Sequence, residues 1–229
     1  MRNIHAIILA GGLGTRLGSD LPKQFLKVAD KPLLLYSLQR FREWGLCKSI
    51  NIVCHKDWIL KMEELVSPFL EGNDRIIEGG NTRHESTLCA LKNIIWDADD
   101  ILLIHDAARP YFLSIELDEL IGIVQVFGAA TLALKGSETV VRSKPNSGYT
   151  SESIDREELY FVKTPQGIRG KELKELLKLE IIAKKDHPTD LCSWVERTGG
   201  KTGIVLSTPK NIKVTTFDDI KIVETYIND

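Results

Sequence analysis

The sequence lacks the features that would direct a protein to a membrane or to nucleic acid. Its 30 basic and 32 acidic side chains leave a formal net charge of −2, so no positive surplus attracts polyanions in general. No apolar run approaches the ~20 residues of a membrane-spanning helix, and MRNIHAIILAGG lacks a signal peptide's long apolar core. We therefore expect a cytoplasmic protein that binds neither membranes nor nucleic acid, and that meets anionic ligands with local clusters of cations.

Cysteine is scarce as well. The four cysteines stand far apart, with no C-x-x-C pair and no histidine at zinc-ligand spacing. We expect reduced thiols that pack as small hydrophobic residues. The sequence also contains no internal repeat. With 43% hydrophobic residues over 229 positions, the chain is expected to form one domain, residues 1–229.

Apolar runs rich in β-branched residues alternate with segments of helical period. The predicted strands are residues 5–10, 49–55, 75–80, 100–108 and 129–134, and the helices between them are residues 32–45, 58–70, 85–94 and 114–128. This alternation predicts an α/β fold of Rossmann-like type, a mainly parallel twisted sheet with helices on both faces. Ligands of such sheets bind at the carboxyl ends of the strands. A glycine-rich stretch, LAGGLGTRLGSDLPKQF, falls at that edge.

The alternation breaks between about residues 136 and 163. Two short strand-like pieces, TVVRS and LYFVK, flank a polar stretch that contains the turn signal KPNSGY. This pattern predicts a protruding β-arm. Because such an arm has little core of its own, we expect it to pack on a second subunit of a homodimer; a mobile surface hairpin is the alternative. Two helices, a strand at 201–206 and a closing helix from about Thr216 follow the arm.

The glycine-rich stretch was compared with three phosphate-binding patterns. A Walker A loop is excluded because no Lys-Ser or Lys-Thr follows a glycine at the required spacing. The dinucleotide fingerprint has one residue fewer between its last two glycines, and the second strand ends in CHKD, without the acid that binds ribose. The third pattern, G-G-x-G-T-R-[LM] followed by P-K, is typical of nucleotidyltransferases acting on sugar and polyol phosphates.

The chemistry of this loop suits a triphosphate. Gly11, Gly12 and Gly14 allow backbone N–H groups to close around phosphate oxygens without obstruction by side chains. Arg16 and Lys23 add cations near the α-phosphate. A solvated basic loop is the alternative interpretation of these two side chains.

Six motifs extend this interpretation along nearly the whole chain, in the order LAGGLGTRLGSDLPKQFL, EGGNTRHES, HDAARP, DREELYFVKTPQ, TD and NIKVT. In this order the sequence resembles the 2-C-methyl-D-erythritol 4-phosphate cytidylyltransferase family and its close relative, ribitol-5-phosphate cytidylyltransferase. The resemblance implies transfer of CMP from CTP to methylerythritol phosphate, giving CDP-methylerythritol and pyrophosphate in the non-mevalonate isoprenoid precursor pathway. The alternative is a cytidylyltransferase for ribitol 5-phosphate or another polyol phosphate of cell-surface polymers.

The resemblance also implies residue roles. Arg16 and Lys23 would hold the CTP phosphates, and Lys213 would neutralise the phosphates in the transition state. The implied CTP-binding residues are Ala10, Gly11, Gly12, Gly14, Thr15, Gly80, Asn81, Ser86 and Ala107. Among them, the backbone of Gly80 and Asn81 would read the edge of the cytosine base, and the Ser86 hydroxyl would cap it.

The implied acceptor-binding residues are Asp106, Arg109, Thr139, Arg156, Thr164 and Gln166. Thr139 and Arg156 belong to the arm and would reach the neighbouring subunit's pocket, so that activity would require the dimer. Asp106 would also help to hold Mg²⁺, which would be bound mostly through the CTP phosphates. No general base is required because the second pKa of a phosphate monoester is about 6. His105 is accordingly expected to have a structural role.

Three positions depart from the usual family pattern. Asn81 stands where the methylerythritol enzymes usually carry aspartate, Glu138 replaces an aspartate, and the common aromatic residue after Gln166 is absent. Two other classes were weighed. A non-catalytic relative would not be expected to retain Arg16, Lys23, Asp106, Arg156 and Lys213, and a hexose-1-phosphate nucleotidylyltransferase would not be expected to carry HDAARP or the arm motif.

Overall fold

The computed structural model describes residues 2–12, 21–182 and 187–228. Its strands are β1 (Ile4–Ala10), β2 (Lys27–Val28), β3 (Lys31–Pro32), β4 (Ser49–Cys54), β5 (Arg75–Glu78), β6 (Ile101–Asp106), β7 (Ala129–Lys135), β8 (Val140–Arg142), β9 (Glu152–Ile154), β10 (Tyr160–Arg169) and β11 (Gly203–Leu206). Its α-helices are α1 (Leu33–Trp44), α2 (Ile59–Val66), α3 (Arg83–Asn93), α4 (Ser114–Phe127), α5 (Gly170–Ile182), α6 (Leu191–Glu196) and α7 (Phe217–Asn228). Within these described ranges no helix is long and apolar enough to cross a membrane.

Seven strands form the central sheet in the order β11-β7-β10-β6-β1-β4-β5. β1 pairs in parallel with both β4 and β6, and every residue of β4 and β6 is buried. Strands buried on both faces are expected where helices cover both sides of a parallel sheet. The α/β fold predicted from the alternation of strands and helices is therefore confirmed.

Alternate residues of β1 enter two separate cores. Ile8 packs in a cluster with residues of α1, α2 and α4, whereas Ile7 packs in a second cluster with residues of α3, α5 and α6. A third, smaller cluster joins Val28, Leu33 and Ala108 to Val214 and Val223 of the C-terminal region. Because this cluster contains both Ala108 and Val214, it brings the NIKVT segment to the carboxyl end of β6.

Two helix ends differ from the sequence prediction. α3 begins at Arg83, two residues earlier than predicted, because the Thr82 side chain caps it by accepting a hydrogen bond from the N–H of Glu85 (3.1 Å). α2 ends at Val66 rather than at residue 70. A short 3₁₀ turn, Ser67–Phe69, follows it and contains a proline near its start.

The arm segment is built differently from the prediction. Val140–Arg142 pairs with Glu152–Ile154 in a small antiparallel sheet, and only the first of the two predicted strand-like pieces, TVVRS, takes part in it. The LYFVK residues instead begin β10, which enters the central sheet antiparallel between β6 and β7. The two short strands thus stand apart from the sheet, and β10 returns the chain to it.

Candidate active site

A cavity of about 190 Å³ opens at the carboxyl ends of β1 and β6, at the edge of the sheet where the sequence predicts the ligand. Its lining includes many of the predicted site residues: Ala10, Gly11, Gly12, Lys23, Gly80, Asn81, Ser86, Asp106, Ala107 and Lys213. Three further predicted residues, Gly14, Thr15 and Arg16, lie outside the described residues. Segments that are distant in sequence therefore meet at one pocket.

The first wall is the end of β1 and the segment that returns to it. The buried Gln24 side chain donates through Nε2 to the carbonyl oxygen of Ala10 (2.5 Å). This bond holds the short 3₁₀ turn Lys23–Phe25 against the end of β1. Lys23 thereby lines the cavity, and its Nζ lies 3.4 Å from the carbonyl oxygen of Val214.

The second wall is the turn between β5 and α3. The N–H of Gly79 donates to the carbonyl oxygen of Cys54 (2.8 Å), which ties the turn to the end of β4. The Ser86 hydroxyl donates to the carbonyl oxygen of Gly80 (3.3 Å). Because a capping box also closes the start of α3, the turn is held at both of its ends.

A three-residue ion network crosses the pocket. Arg83 Nε donates to Asp106 Oδ1 (2.9 Å), and Lys213 Nζ donates to Asp106 Oδ2 (2.7 Å). Burial by itself raises the pKa of the Asp106 carboxyl. The charges and hydrogen bonds of Arg83 and Lys213 together have the larger and opposite effect, so the pKa lies well below its ordinary value. Asp106 is therefore ionised throughout the physiological range, and it holds two cations at the pocket.

Arg83 was missed by the sequence analysis. It is the first residue of α3 and lines the cavity beside Asp106. The EGGNTRHES motif, which contains Arg83, was predicted to form part of the pocket. Nothing in the motif indicated a hydrogen bond from Arg83 to the HDAARP segment. That contact joins residues 23 positions apart and depends on the crossover between β5 and β6.

Asp106 and Lys213 are held in place by neighbouring backbone bonds. The N–H of Asp106 donates to the buried Thr164 Oγ1 (3.1 Å), and the N–H of Val214 donates to the carbonyl oxygen of Ala108 (2.8 Å). On the other side of Lys213, the buried Asn211 donates through Nδ2 to the carbonyl oxygen of Thr164 (3.0 Å). Thr164 thus lies beneath the ion network as a support for it.

His105 has the structural role that its position suggested. Its ring is fully buried, with Nδ1 3.0 Å from Thr164 Oγ1 and Nε2 3.0 Å from the carbonyl oxygen of Arg109. Burial lowers the pKa of His105 to about 3. The imidazole is therefore neutral at physiological pH and links β6 to the segments around it.

Arg109 is a largely buried cation with unused hydrogen-bonding capacity. Its Nη1 donates to the carbonyl oxygen of Asn211 (3.2 Å), while its buried Nε has no partner among the described residues. Burial lowers the pKa of Arg109, although nearby Asp106 opposes that shift. Burial and the charge of Arg109 likewise lower the pKa of Lys163, a second cation that the sequence analysis missed. An anion placed near these two cations would relieve their repulsion.

Three residues predicted to bind the acceptor substrate do not line the cavity of their own chain: Gln166, Thr139 and Arg156. Gln166 is fully buried within β10, where Oε1 accepts the N–H of Leu191 (3.1 Å) and Nε2 donates to Thr131 Oγ1 (3.2 Å). It therefore fastens α6 to the sheet. Thr139 and Arg156 are exposed on the arm and are not among the residues that line the cavity of their own chain.

Gly80 provides a test of the second wall. A Cβ atom at Gly80 would lie 2.9 Å from Glu85 Oε2 and 3.2 Å from the carbonyl carbon of Glu85, closer than packed atoms allow. We expect Gly80→Ala to displace the turn and to weaken binding of CTP, the ligand predicted from the sequence, about tenfold, roughly 1.4 kcal/mol, in titration calorimetry. Gly122→Ala is the control, because nothing lies within 4 Å of a Cβ there. Equal CTP affinities in the two variants would contradict this prediction.

Residues 4–229 match the family model described as 2-C-methyl-D-erythritol 4-phosphate cytidylyltransferase (IspD). A protein of that name from Leptospira borgpetersenii is 48% identical over 223 residues, which cover 97% of this chain and 93% of the relative. A solved structure from Francisella tularensis, a protein of the same name, aligns with a TM-score of 0.77 at 28% identity, covering 99% of this chain and 98% of that one. The 4-diphosphocytidyl-2C-methyl-D-erythritol synthase of Anaerococcus prevotii has a TM-score of 0.85 at 24% identity, covering 100% and 97%, and supports the fold alone. These similarities extend over nearly the whole chain.

Proposed function

The chain belongs to the 2-C-methyl-D-erythritol 4-phosphate cytidylyltransferase family, and we propose that its carboxyl-edge pocket transfers CMP from CTP to 2-C-methyl-D-erythritol 4-phosphate. The observation that carries this proposal is the convergence of Lys23, Arg83 and Lys213 with the Gly11-Gly12 backbone around one cavity. Backbone N–H groups and cations gathered at the end of a sheet suit a triphosphate.

The reaction is a displacement at phosphorus. An oxygen of the acceptor's phosphate attacks the α-phosphorus of CTP, a new P–O bond forms, and the bond to the β-phosphate breaks as pyrophosphate leaves. Because the acceptor phosphate is largely ionised at pH 7, no side chain has to remove a proton. Catalysis then consists of positioning and charge neutralisation, which agrees with a site made of cations rather than of a general base.

We assign the phosphates to Lys23 and Lys213, which line the cavity from two different segments, and to Arg16 by its motif alone. Gly80, Asn81 and Ser86 form the wall assigned to the cytosine base. Ala10, the last residue of β1, and Ala107, which directly follows β6, also line the cavity and are assigned to the nucleotide as well.

Mg²⁺ fits this donor set only if the substrate supplies most of its ligands. Among the described residues Asp106 is the carboxylate that lines the cavity, and both of its oxygens are paired with cations. Magnesium sites of this kind combine one carboxylate with phosphate oxygens and water. We propose that Asp106 and the CTP phosphates hold the ion, which would neutralise phosphate charge.

We assign the acceptor's phosphate to Arg109 and the neighbouring Lys163. Arg109 supports this assignment, because its buried Nε lacks a partner in the described part of the chain. We further propose that Thr139 and Arg156 of a second subunit complete the site. Both are exposed on the arm, so they are available to a neighbouring chain.

An exposed apolar surface beside the arm supports a homodimer. The strand register places Val162, Ala133 and Leu206 side by side on one face of the sheet, and the exposed fractions of Val162 and Leu206 are 39% and 63%. Tyr160 and Ile204, with 38% and 47% exposed, extend the same surface. Contiguous apolar side chains of this kind are typical of an interface.

Mixing variants tests whether the sites are shared. Arg16→Ala removes a cation that its motif assigns to a chain's own pocket, and Arg156→Ala removes the arm cation that would reach the neighbour. Each homodimer should be inactive, and an equal mixture should recover about a quarter of wild-type activity, since half of the dimers are mixed and each has one intact site.

The control mixture combines Arg16→Ala with Lys213→Ala. Both lesions lie in a chain's own pocket, so every site of the mixed dimers keeps one lesion and no activity should return. Equal activities in the two mixtures, after subunit exchange has been verified by mass spectrometry, would argue against shared sites.

A pyrophosphate-release assay tests the reaction itself. It pairs CTP, UTP and ATP in turn with the phosphates of methylerythritol, ribitol and erythritol and with a hexose 1-phosphate. We expect release of pyrophosphate with CTP and methylerythritol phosphate. We also propose that the reaction takes place in the cytoplasm. Release with UTP and a hexose 1-phosphate but none with CTP would overturn the assignment.

A further inference from the structure

Glu85 lies behind the base-side wall of the pocket. It is the third residue of α3 and is not among the residues that line the cavity. Its Oε2 accepts the backbone N–H of Asn81 (2.7 Å) and that of Thr82 (3.3 Å). Its Oε1 lies 3.4 Å from His187 Nε2. One carboxylate thus occupies two N–H groups of the turn that faces the ligand.

The turn has fewer free backbone donors than free backbone acceptors. The N–H of Gly79 is used by Cys54, so in the described structure only the Gly80 N–H has no protein acceptor between Gly79 and Thr82. The carbonyl oxygen of Gly80 accepts the Ser86 hydroxyl and keeps a second lone pair. Backbone donors are therefore scarce on this wall, and carbonyl acceptors are available.

Such a wall discriminates between the two pyrimidines. Cytosine presents an amino group at the position where uracil presents a carbonyl oxygen. An acceptor on the wall can pair with the amino group, whereas the uracil oxygen would need a donor. A buried polar group left without its partner is what allows a site to reject a close analogue strongly.

We propose that Glu85 is a positioning residue that determines the preference for cytosine over uracil, because it occupies the N–H groups of Asn81 and Thr82 that would otherwise be available to uracil. This inference rests on the proposed function, in which the turn faces the base of CTP. It also revises the role of Asn81. Its backbone N–H belongs to Glu85 and not to the base, so the substitution of the usual aspartate at that position leaves this contact intact.

The test compares Glu85 with another glutamate in the same helical position. Glu116 is the third residue of α4, and its Oε2 accepts the N–H of Leu113 (2.7 Å), while its Oε1 accepts that of Thr208. It is not among the residues that line the cavity. Glu116→Gln therefore weakens the bonds that Glu116 makes at the start of α4 without touching the wall that faces the base.

The measured quantity is the ratio of kcat/KM for CTP to kcat/KM for UTP. We expect Glu85→Ala to lower this ratio about tenfold, the effect of one lost or gained hydrogen bond to the base. Glu85→Gln should lower it less, because the amide keeps one acceptor oxygen. Glu116→Gln should lower the melting temperature and leave the ratio unchanged.

If both Glu85 variants have the same ratio as the wild type, the role proposed for Glu85 is overturned. The activity of the wild type with CTP would still support the proposed function. A wild-type protein that is inactive with CTP would overturn the proposed function instead. If Glu85→Ala does not fold by circular dichroism, Glu85→Gln decides, with Kd values for CTP and UTP measured by titration calorimetry. An equal fall of the ratio in Glu116→Gln would also contradict the proposal, since the effect would then follow from helix capping alone.

Discussion

Replacing Lys213 by alanine is expected to lower kcat about 10²- to 10⁴-fold with little change in KM for CTP. Lys213 lines the cavity together with Lys23, and the transfer of CMP shifts negative charge onto the departing pyrophosphate. A cation preorganised for that charge acts mainly in the transition state, and its loss therefore appears in kcat rather than in KM. Steady-state kinetics by pyrophosphate release measures both constants.

The structure predicts that the Lys213→Ala variant will fold. The backbone on either side of Lys213 keeps its anchors, the Asn211 bond to Thr164 and the Val214 bond to Ala108. Lys210→Ala is the matched control, because Lys210 lies in the same segment, outside the cavity lining, with its Nζ over the rings of Tyr111 and Tyr226. A near-normal kcat in Lys213→Ala, or an equal loss in Lys210→Ala, would contradict the role given to Lys213.

The second large effect is expected at Asp106. Asp106→Asn keeps the shape of the side chain but removes the negative charge shared by Arg83 and Lys213. Removing one partner of a fully buried ion pair costs about 3–5 kcal/mol, and we expect a smaller loss of stability here because the Arg83 and Lys213 side chains are 26% and 37% exposed. Here two cations would also repel each other. We expect kcat/KM to fall at least about 10²-fold, together with a loss of stability at pH 7.

The stability difference should depend on pH in a defined direction. The pKa of Asp106 is lowered in the folded protein, so ionised Asp106 stabilises the fold above the ordinary carboxyl pKa of about 4. That contribution is lost progressively as the pH falls below this value toward the folded pKa. Urea unfolding at pH 7 and at pH 3 should therefore show a smaller difference between wild type and Asp106→Asn at pH 3.

Asp74→Asn separates a loss of activity caused by the ion network from a loss caused by lower stability. Asp74 is also a buried carboxylate with a cationic partner, Arg42, and it accepts the N–H of Ile50 (2.7 Å), but it lies outside the cavity lining. Its replacement should reduce stability without reducing kcat. If Asp74→Asn and Asp106→Asn lost activity equally, the loss would reflect general destabilisation and not the ion network.

Local sequence patterns predicted most of the helices and strands. β4 and β6 are short runs rich in apolar residues, and α1 ends within one residue of its predicted end because Gly45 adopts a left-handed backbone conformation (φ 76°) as its C-terminal cap. The exception is β10. Its first half resembles an isolated arm strand, and nothing within those residues indicates that it pairs with β7.

The sequence by itself determined the type of site: glycines after a buried strand, cations close behind them, and motifs that follow one another in the order of a single family. These are local properties, because the backbone freedom of glycine and the charge of lysine do not depend on distant residues. Only the tertiary structure decided which side chains share a partner. Asp106 meets Lys213 across 107 positions of sequence, Arg83 reaches the other oxygen of the same carboxylate, and Gln166 is used to hold α6. Such contacts depend on how strands are ordered in the sheet and on the cluster that joins Val214 to Ala108, so a pattern within one segment does not contain them.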